Sequence, residues 1–111
     1  MTVGSNYTPA EWPITAVRGD TLREQPWALE DDGTPMVLVS AVAQVRERRD
    51  RASTLVLDLA AAVSGADVTI GPVAMDVDAG TYWWDLEITT AEGPLTVLAG
   101  TCTVLADVSV P

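Results

Sequence analysis

Residues Thr81 to Thr90 read Thr-Tyr-Trp-Trp-Asp-Leu-Glu-Ile-Thr-Thr. Tyr82, Trp84, Leu86 and Ile88 alternate with Trp83, Asp85, Glu87 and Thr89, so one set lies on an apolar face and the other on a wet one. A period of two over that length predicts a half-buried β-strand. With two of the four tryptophans of the chain, it is the natural centre of a core.

The flanks extend the reading. Ala91-Glu92-Gly93-Pro94 predicts a turn into a hairpin partner, Leu95 to Leu105, in which Gly100 marks a bulge or a close backbone approach. On the other side Met75 to Ala79 leads to Gly80, which turns the chain into the central strand. Further back, Leu55, Leu57 and Leu59 alternate with Val56 and Asp58, and Ala66 to Ile70 is short and β-rich. The run Ala60 to Ser64 reads as one helical turn. Ala41 to Glu47 is a strand with both faces partly apolar, so its inward face is open at this stage.

Nearer the start, Glu30-Asp31-Asp32-Gly33-Thr34-Pro35 predicts a hairpin loop, because Asp-Gly tolerates positive φ. Leu22 to Leu29 leads into it, with Pro26 marking an edge or bulge, and Met36 to Val39 returns. Trp12 to Val17 predicts an edge strand, since Pro13 cannot donate to a ladder. Arg18-Gly19-Asp20 follows; it reads as a turn, although such a triplet on an exposed loop can also be an adhesion ligand. Met1 to Glu11 has almost no apolar periodicity and predicts an extended arm, either a free terminus or a segment that pairs with a neighbouring chain. Val108 to Pro111 is a short tail. Turn signals every eight to twelve residues predict a single all-β antiparallel domain over residues 12–111, a sandwich or a barrel.

Composition narrows the function. A length of 111 residues suits one domain, and folding at this size buries roughly 65% of the extended chain's surface. Six arginines oppose sixteen acidic residues, giving a net charge of -10, which repels phosphate backbones and anionic lipid. Neither a nucleic acid nor a membrane is the expected partner. The first twenty residues hold no apolar signal region, so the expected site of synthesis is the cytoplasm without export. One cysteine, Cys102, excludes an internal disulfide framework and reads as a buried, inert thiol.

The sequence contains no histidine and no lysine, which removes the commonest general base, the commonest metal ligand and Schiff-base chemistry. Carboxylate pairs remain: Asp76 with Asp78, and Asp85 with Glu87, share a face if their segments are extended. Such pairs are ordinary on acidic β-domains, and no catalytic residue is assigned. Glu30, Asp31 and Asp32, or Asp67, Asp76 and Asp78, would suit calcium, but neither set has the ordered spacing of a calcium loop, so no metal or other cofactor is expected.

The residues that stand out are contact residues. Trp83 shares the polar face with Asp85 and Glu87, and such a tryptophan is the kind of anchor found at interface centres. Arg46, Arg48, Arg49 and Arg51 concentrate the positive charge in Arg-Glu-Arg-Arg-Asp-Arg, either a self-paired turn or a docking patch for an acidic surface. With Tyr7 and Trp12 of the arm, these are the candidate interface residues. If Trp12, Trp27 and Trp83 are exposed together, they form one surface.

Several short motifs occur in a familiar order: Arg18-Gly19-Asp20-Thr21, Asp31-Asp32-Gly33-Thr34-Pro35, Gln44-Val45-Arg46, Ala79-Gly80-Thr81-Tyr82, Trp84-Asp85-Leu86-Glu87, Leu98-Ala99-Gly100-Thr101 with Val104, and Ala106-Asp107-Val108. In that order the chain resembles small phage and prophage virion proteins, similar to the N-terminal domain of tailed-phage baseplate upper proteins. The resemblance implies an immunoglobulin-like or related β-sandwich that docks on a larger virion assembly without enzymatic activity. It implies capsid or tail and baseplate subunits as partners, with self-association as a further mode, and the virion as location. A capsid decoration protein or a tail accessory subunit fits an acidic module with an aromatic arm. Those relatives continue into a fibre-bearing region beyond the point matched by Pro111, so fibre holding is not implied. A free-standing adhesive or carbohydrate-binding module, stacking sugars on exposed tryptophans, is the competing expectation.

Overall fold

The computed structural model describes residues 9–31, 33–50 and 52–107. Tyr7, Asp32, Arg51, the rest of the arm to Thr8 and the tail from Val108 lie outside the described residues. Among the described residues there are strands and no helix, and none forms a helix long and apolar enough to cross a membrane.

The strands are β1 (Ala10–Glu11), β2 (Ile14–Val17), β3 (Thr21–Leu22), β4 (Gln25–Ala28), β5 (Glu30–Asp31), β6 (Thr34–Pro35) and β7 (Ser40–Arg46). They continue with β8 (Leu55–Asp58), β9 (Ala62–Ser64), β10 (Asp67–Ile70), β11 (Val73–Ala74), β12 (Gly80–Thr90) and β13 (Gly93–Leu105). The large sheet runs β1, β13, β12, β7, β8, with β2 also on the outer edge of β13. The opposing layer holds β4, β10 and β9, flanked by the small β3 and β11 pair. The molecule is an all-β sandwich.

The central strand is β12. It pairs antiparallel with β13 on one side and with β7 on the other. Trp84, Leu86 and Ile88 are buried, as the alternation requires, and Tyr82 is half-buried where the strand begins. Pairing settles the open face of β7: Ala43 and Val45 point inward while Val42, Gln44 and Arg46 line the outside. Val68 and Ile70 of β10 meet them from the other layer. Each such side chain taken fully from water contributes about 1.5–3 kcal/mol.

A bulge separates the two halves of the β12–β13 hairpin. Leu86 pairs with Leu98 but Glu87 pairs with Thr96, leaving Val97 as the extra residue. Both Val97 and Leu98 are consequently buried, which strict alternation forbids. Above the bulge, Gly100 and Cys102 share the inner face with Leu98.

Other expectations are revised. Ala60 to Ser64 is not a helical turn: Ala60 takes φ 54° and the chain then enters β9, which pairs antiparallel with β10. Ladder pairing outweighs the intrinsic helix preference of alanine, which is only a fraction of a kcal/mol per residue. Leu22 to Leu29 is broken at Arg23 and Glu24, so β3 pairs with β11 and β4 with β10. Pro26 sits on β4, an edge strand, as its missing N–H demands. The acidic hairpin forms between Glu30–Asp31 and Thr34–Pro35, with Gly33 at φ +83°. Met36 to Val39 belongs to no strand, although the Val39 N–H donates to the Thr89 carbonyl.

Candidate functional site: the outer face of the large sheet

The segment Ala10 to Val17 runs along the outer edge of β13, parallel to it, in two pieces. The break falls at Trp12-Pro13, opposite Gly100. The end of the expected arm therefore adds a strand to its own sheet. Trp12 turns inward at the break, and its ring meets Trp27 edge-on at 5.4 Å. Trp27 in turn stacks on Trp84 at 6.5 Å.

This arrangement divides the tryptophans. Trp27 is buried and Trp84 is buried, whereas Trp12 keeps 42% of its surface exposed while capping them. Trp83 points to the opposite side of the sheet. A single surface built from Trp12, Trp27 and Trp83 does not form, because alternation along β12 and the stacking of Trp12 on the inner layer put Trp12 and Trp83 on different faces.

On the outer face, Trp83 pairs with Arg46 of β7 and with Thr101 of β13. The guanidinium of Arg49 lies 4.3 Å from the centre of the Trp83 ring. Such a contact contributes about 0.5–1 kcal/mol near solvent, enough to order both side chains without fixing them. Around it is an open groove of about 390 Å³, lined among others by Arg46, Arg48, Arg49, Trp83, Asp85 and Glu11. The structure thus brings together three of the four clustered arginines with Trp83; Trp12 stands apart, and Tyr7 and Arg51 are outside the described residues.

The loop that carries the arginines is built on Ser53, which is 6% exposed. Its hydroxyl faces the Arg48 carbonyl at 3.0 Å and the Asp50 carbonyl at 2.7 Å, and accepts from the Arg48 N–H at 3.3 Å. Arg46 closes the same loop, donating from Nη1 to the Ser53 carbonyl at 2.8 Å and from Nη2 to Gln44 Oε1 at 2.9 Å. Arg46 is therefore the fastener of the cluster, and Arg48 and Arg49 are its presented heads. Nothing in the charge run alone separates these roles.

The remaining sequence candidates are placed elsewhere. Arg18-Gly19-Asp20 is a turn, with Gly19 at φ +86°. Its backbone is tied on both sides, since Gly19 N–H donates to the Met75 carbonyl and Arg18 N–H to the Leu105 carbonyl. Arg18 also pairs with Asp78 at 3.3 Å, in a well-exposed contact. Asp76 and Asp78 are both exposed, flanking the buried Val77. Among the described residues no group of three or more carboxylate or thiol side chains is placed to hold a metal ion. Cys102 is fully buried, and desolvation pushes its thiol up to about 11.

No family model matches the chain, and no curated protein matches it. Among solved structures it is similar to CopC from Methylosinus trichosporium OB3b, with 12% sequence identity and a TM-score of 0.51. The match covers 88% of this chain and 89% of that chain. The fold is shared. At that identity the likeness carries nothing about what this chain binds.

Proposed function

We propose that the protein is a non-enzymatic docking subunit, a β-sandwich that attaches to a larger assembly through the outer face of its large sheet. The observation that carries this reading is the Arg49 guanidinium over Trp83, beside Arg46 and Arg48, in the one arginine-rich stretch of a chain of net charge -10. An aromatic anchor with arginines around it is the composition of interface centres, and a focused positive patch on an acidic body orients an acidic partner surface.

The assembly we infer is a tailed-phage virion, with the chain as a capsid decoration or a tail and baseplate accessory subunit made in the host cytoplasm. That step rests on the ordered motifs from Arg18 to Val108. A sandwich with an edge strand supplied by its N-terminal segment is compatible with it.

A sugar-binding module is less well supported. Stacking a sugar needs an open indole face, and Arg49 lies over that of Trp83 while Trp27 is buried. The test is mass spectrometry of particles purified from the source culture after prophage induction. The expected result is this chain present at a fixed ratio to the major particle proteins, and lost from particles when Trp83→Ala is introduced. Particles that lack the chain overturn the virion reading.

A further inference from the structure

The outer face of the large sheet has a positive end and a negative end, and the register fixes their spacing. Arg46 lies opposite Trp83, Gln44 opposite Asp85, and Val42 opposite Glu87. Arg48 and Arg49 continue past the Arg46 row, and Arg49 folds back over Trp83. Moving along β12, the surface therefore changes from arginine with tryptophan to aspartate, then glutamate, within three outward positions.

We propose that this face is the contact between two copies of the chain, related by a two-fold axis in the contact plane and running across the strands between the Trp83 and Asp85 rows. The proposal rests on the docking reading above and names the occupant of that same site. Under this operation the Trp83 and Arg46 row of one copy meets the Asp85 and Gln44 row of the other. Arg48 and Arg49 meet Asp85 and Glu87, and Val42, 45% exposed, is covered. An isologous contact requires a self-complementary patch, and a face carrying both charges in opposite halves is one. Axes along the strands, by contrast, would set arginine against arginine and acid against acid.

Net charge points to the same face. Elsewhere the surface of a chain at -10 repels its own copy, so association is directed to the face that carries its arginines.

The test is mass in solution by light scattering and sedimentation at about 100 µM chain and low salt. The expected species has twice the 11.7 kDa of the chain, and it dissociates in about 0.5 M sodium chloride, where exposed charges are screened. Arg49→Glu and Asp85→Arg each give a monomer, and the double variant Arg49→Glu with Asp85→Arg restores the dimer, because both charges are exchanged across the axis. Circular dichroism confirms that each variant is folded. A wild-type monomer under these conditions overturns the proposal, as does a dimer unaffected by Arg49→Glu, or a double variant that stays monomeric while folded. The particle assay with Trp83→Ala is separate: a monomer whose incorporation still requires Trp83 removes the two-fold contact and keeps the docking reading.

Discussion

The indole Nε1–H of Trp84 donates a 2.7 Å hydrogen bond to the main-chain carbonyl of Trp12, 72 residues earlier in the chain. The bond exists because the residue paired with Trp84 across the ladder is Gly100, whose missing side chain leaves room for the Trp12 backbone. It joins the first strand of the large sheet to its centre. Three segments far apart in sequence thereby close one aromatic cluster, with Trp12 edge-on to Trp27 and Trp27 stacked on Trp84.

Gly100→Ala tests the close approach. A Cβ there would lie 2.7 Å from the Trp12 oxygen and 2.9 Å from its carbonyl carbon, and backbone cannot swing aside as a flexible side chain can. The expected cost is about 1–3 kcal/mol, in the range of overpacked cores. Hydrogen exchange at Ala10 and Glu11 should rise at the same time, since the parallel pairing of β1 is what the methyl displaces. An unchanged urea midpoint would show that the edge strand is not held this way.

Trp84→Phe tests the bond itself. The ring keeps most of its packing, but the Trp12 carbonyl loses its buried donor. Loss of the indole bond and of part of the stack should lower stability by about 1–3 kcal/mol in urea unfolding. Trp12→Phe retains that carbonyl and should cost less, so the ranking of the two variants separates backbone anchoring from ring packing.

The fold was legible where the two faces of a strand differ. Gly80–Thr90 sits between an apolar core and a polar exterior, so its sequence alternates, and Glu-Gly punctuation marks its turn into β13, as the acidic Gly33 loop marks the separate β5–β6 hairpin. The alanines before β9 carry no such contrast, and a weak helix preference fills the gap until ladder pairing with β10 decides. Met36 to Val39 misleads in the other direction, being β-rich in composition yet outside the strands of the ladder.

The site was legible in part. Alternation alone puts Trp83 on the outer face, and the charge run puts arginines near one end of it. What no local pattern shows is that Arg46 is occupied with the Ser53 carbonyl and Gln44, or that Trp12 belongs with Trp27. Both depend on contacts between separate segments. The bulge at Val97 was similarly hidden, since Gly100 drew the expectation to the position where the backbone approach occurs instead.

Ser53→Ala should disturb the arginine loop more than its size suggests. The hydroxyl serves the main chain of Arg48 and Asp50 from a buried position, and its removal leaves those groups to find water. The expected loss is about 1 kcal/mol, or roughly 4–8 °C in Tm for a domain near this size. Because Arg48 and Arg49 are then presented less rigidly, the variant should also weaken association through the outer face. Ser53→Thr keeps the hydroxyl and serves as the control. Equal behaviour of the alanine and threonine variants would remove the hydroxyl from the account.

Cys102 gives a pH signature of the core. The thiol lies on the inner face of β13, fully buried, and desolvation raises it from 9.0 to about 11. Burial disfavours the thiolate, so in the unfolded chain the proton leaves near the ordinary value, while the folded chain keeps it until about 11. Between those values the unfolded state binds fewer protons, and stability must fall as pH rises. The contribution is fully present below pH 9.0 and is lost as pH climbs through about 11. Other effects of alkali are common to the two proteins when the comparison is with Cys102→Ala, in which this component of the slope should vanish. Alkylation supplies a second readout: iodoacetamide should modify the folded chain far more slowly than the urea-unfolded chain at pH 8. Equal rates in the two states would place the thiol at the surface and contradict the inward register of β13.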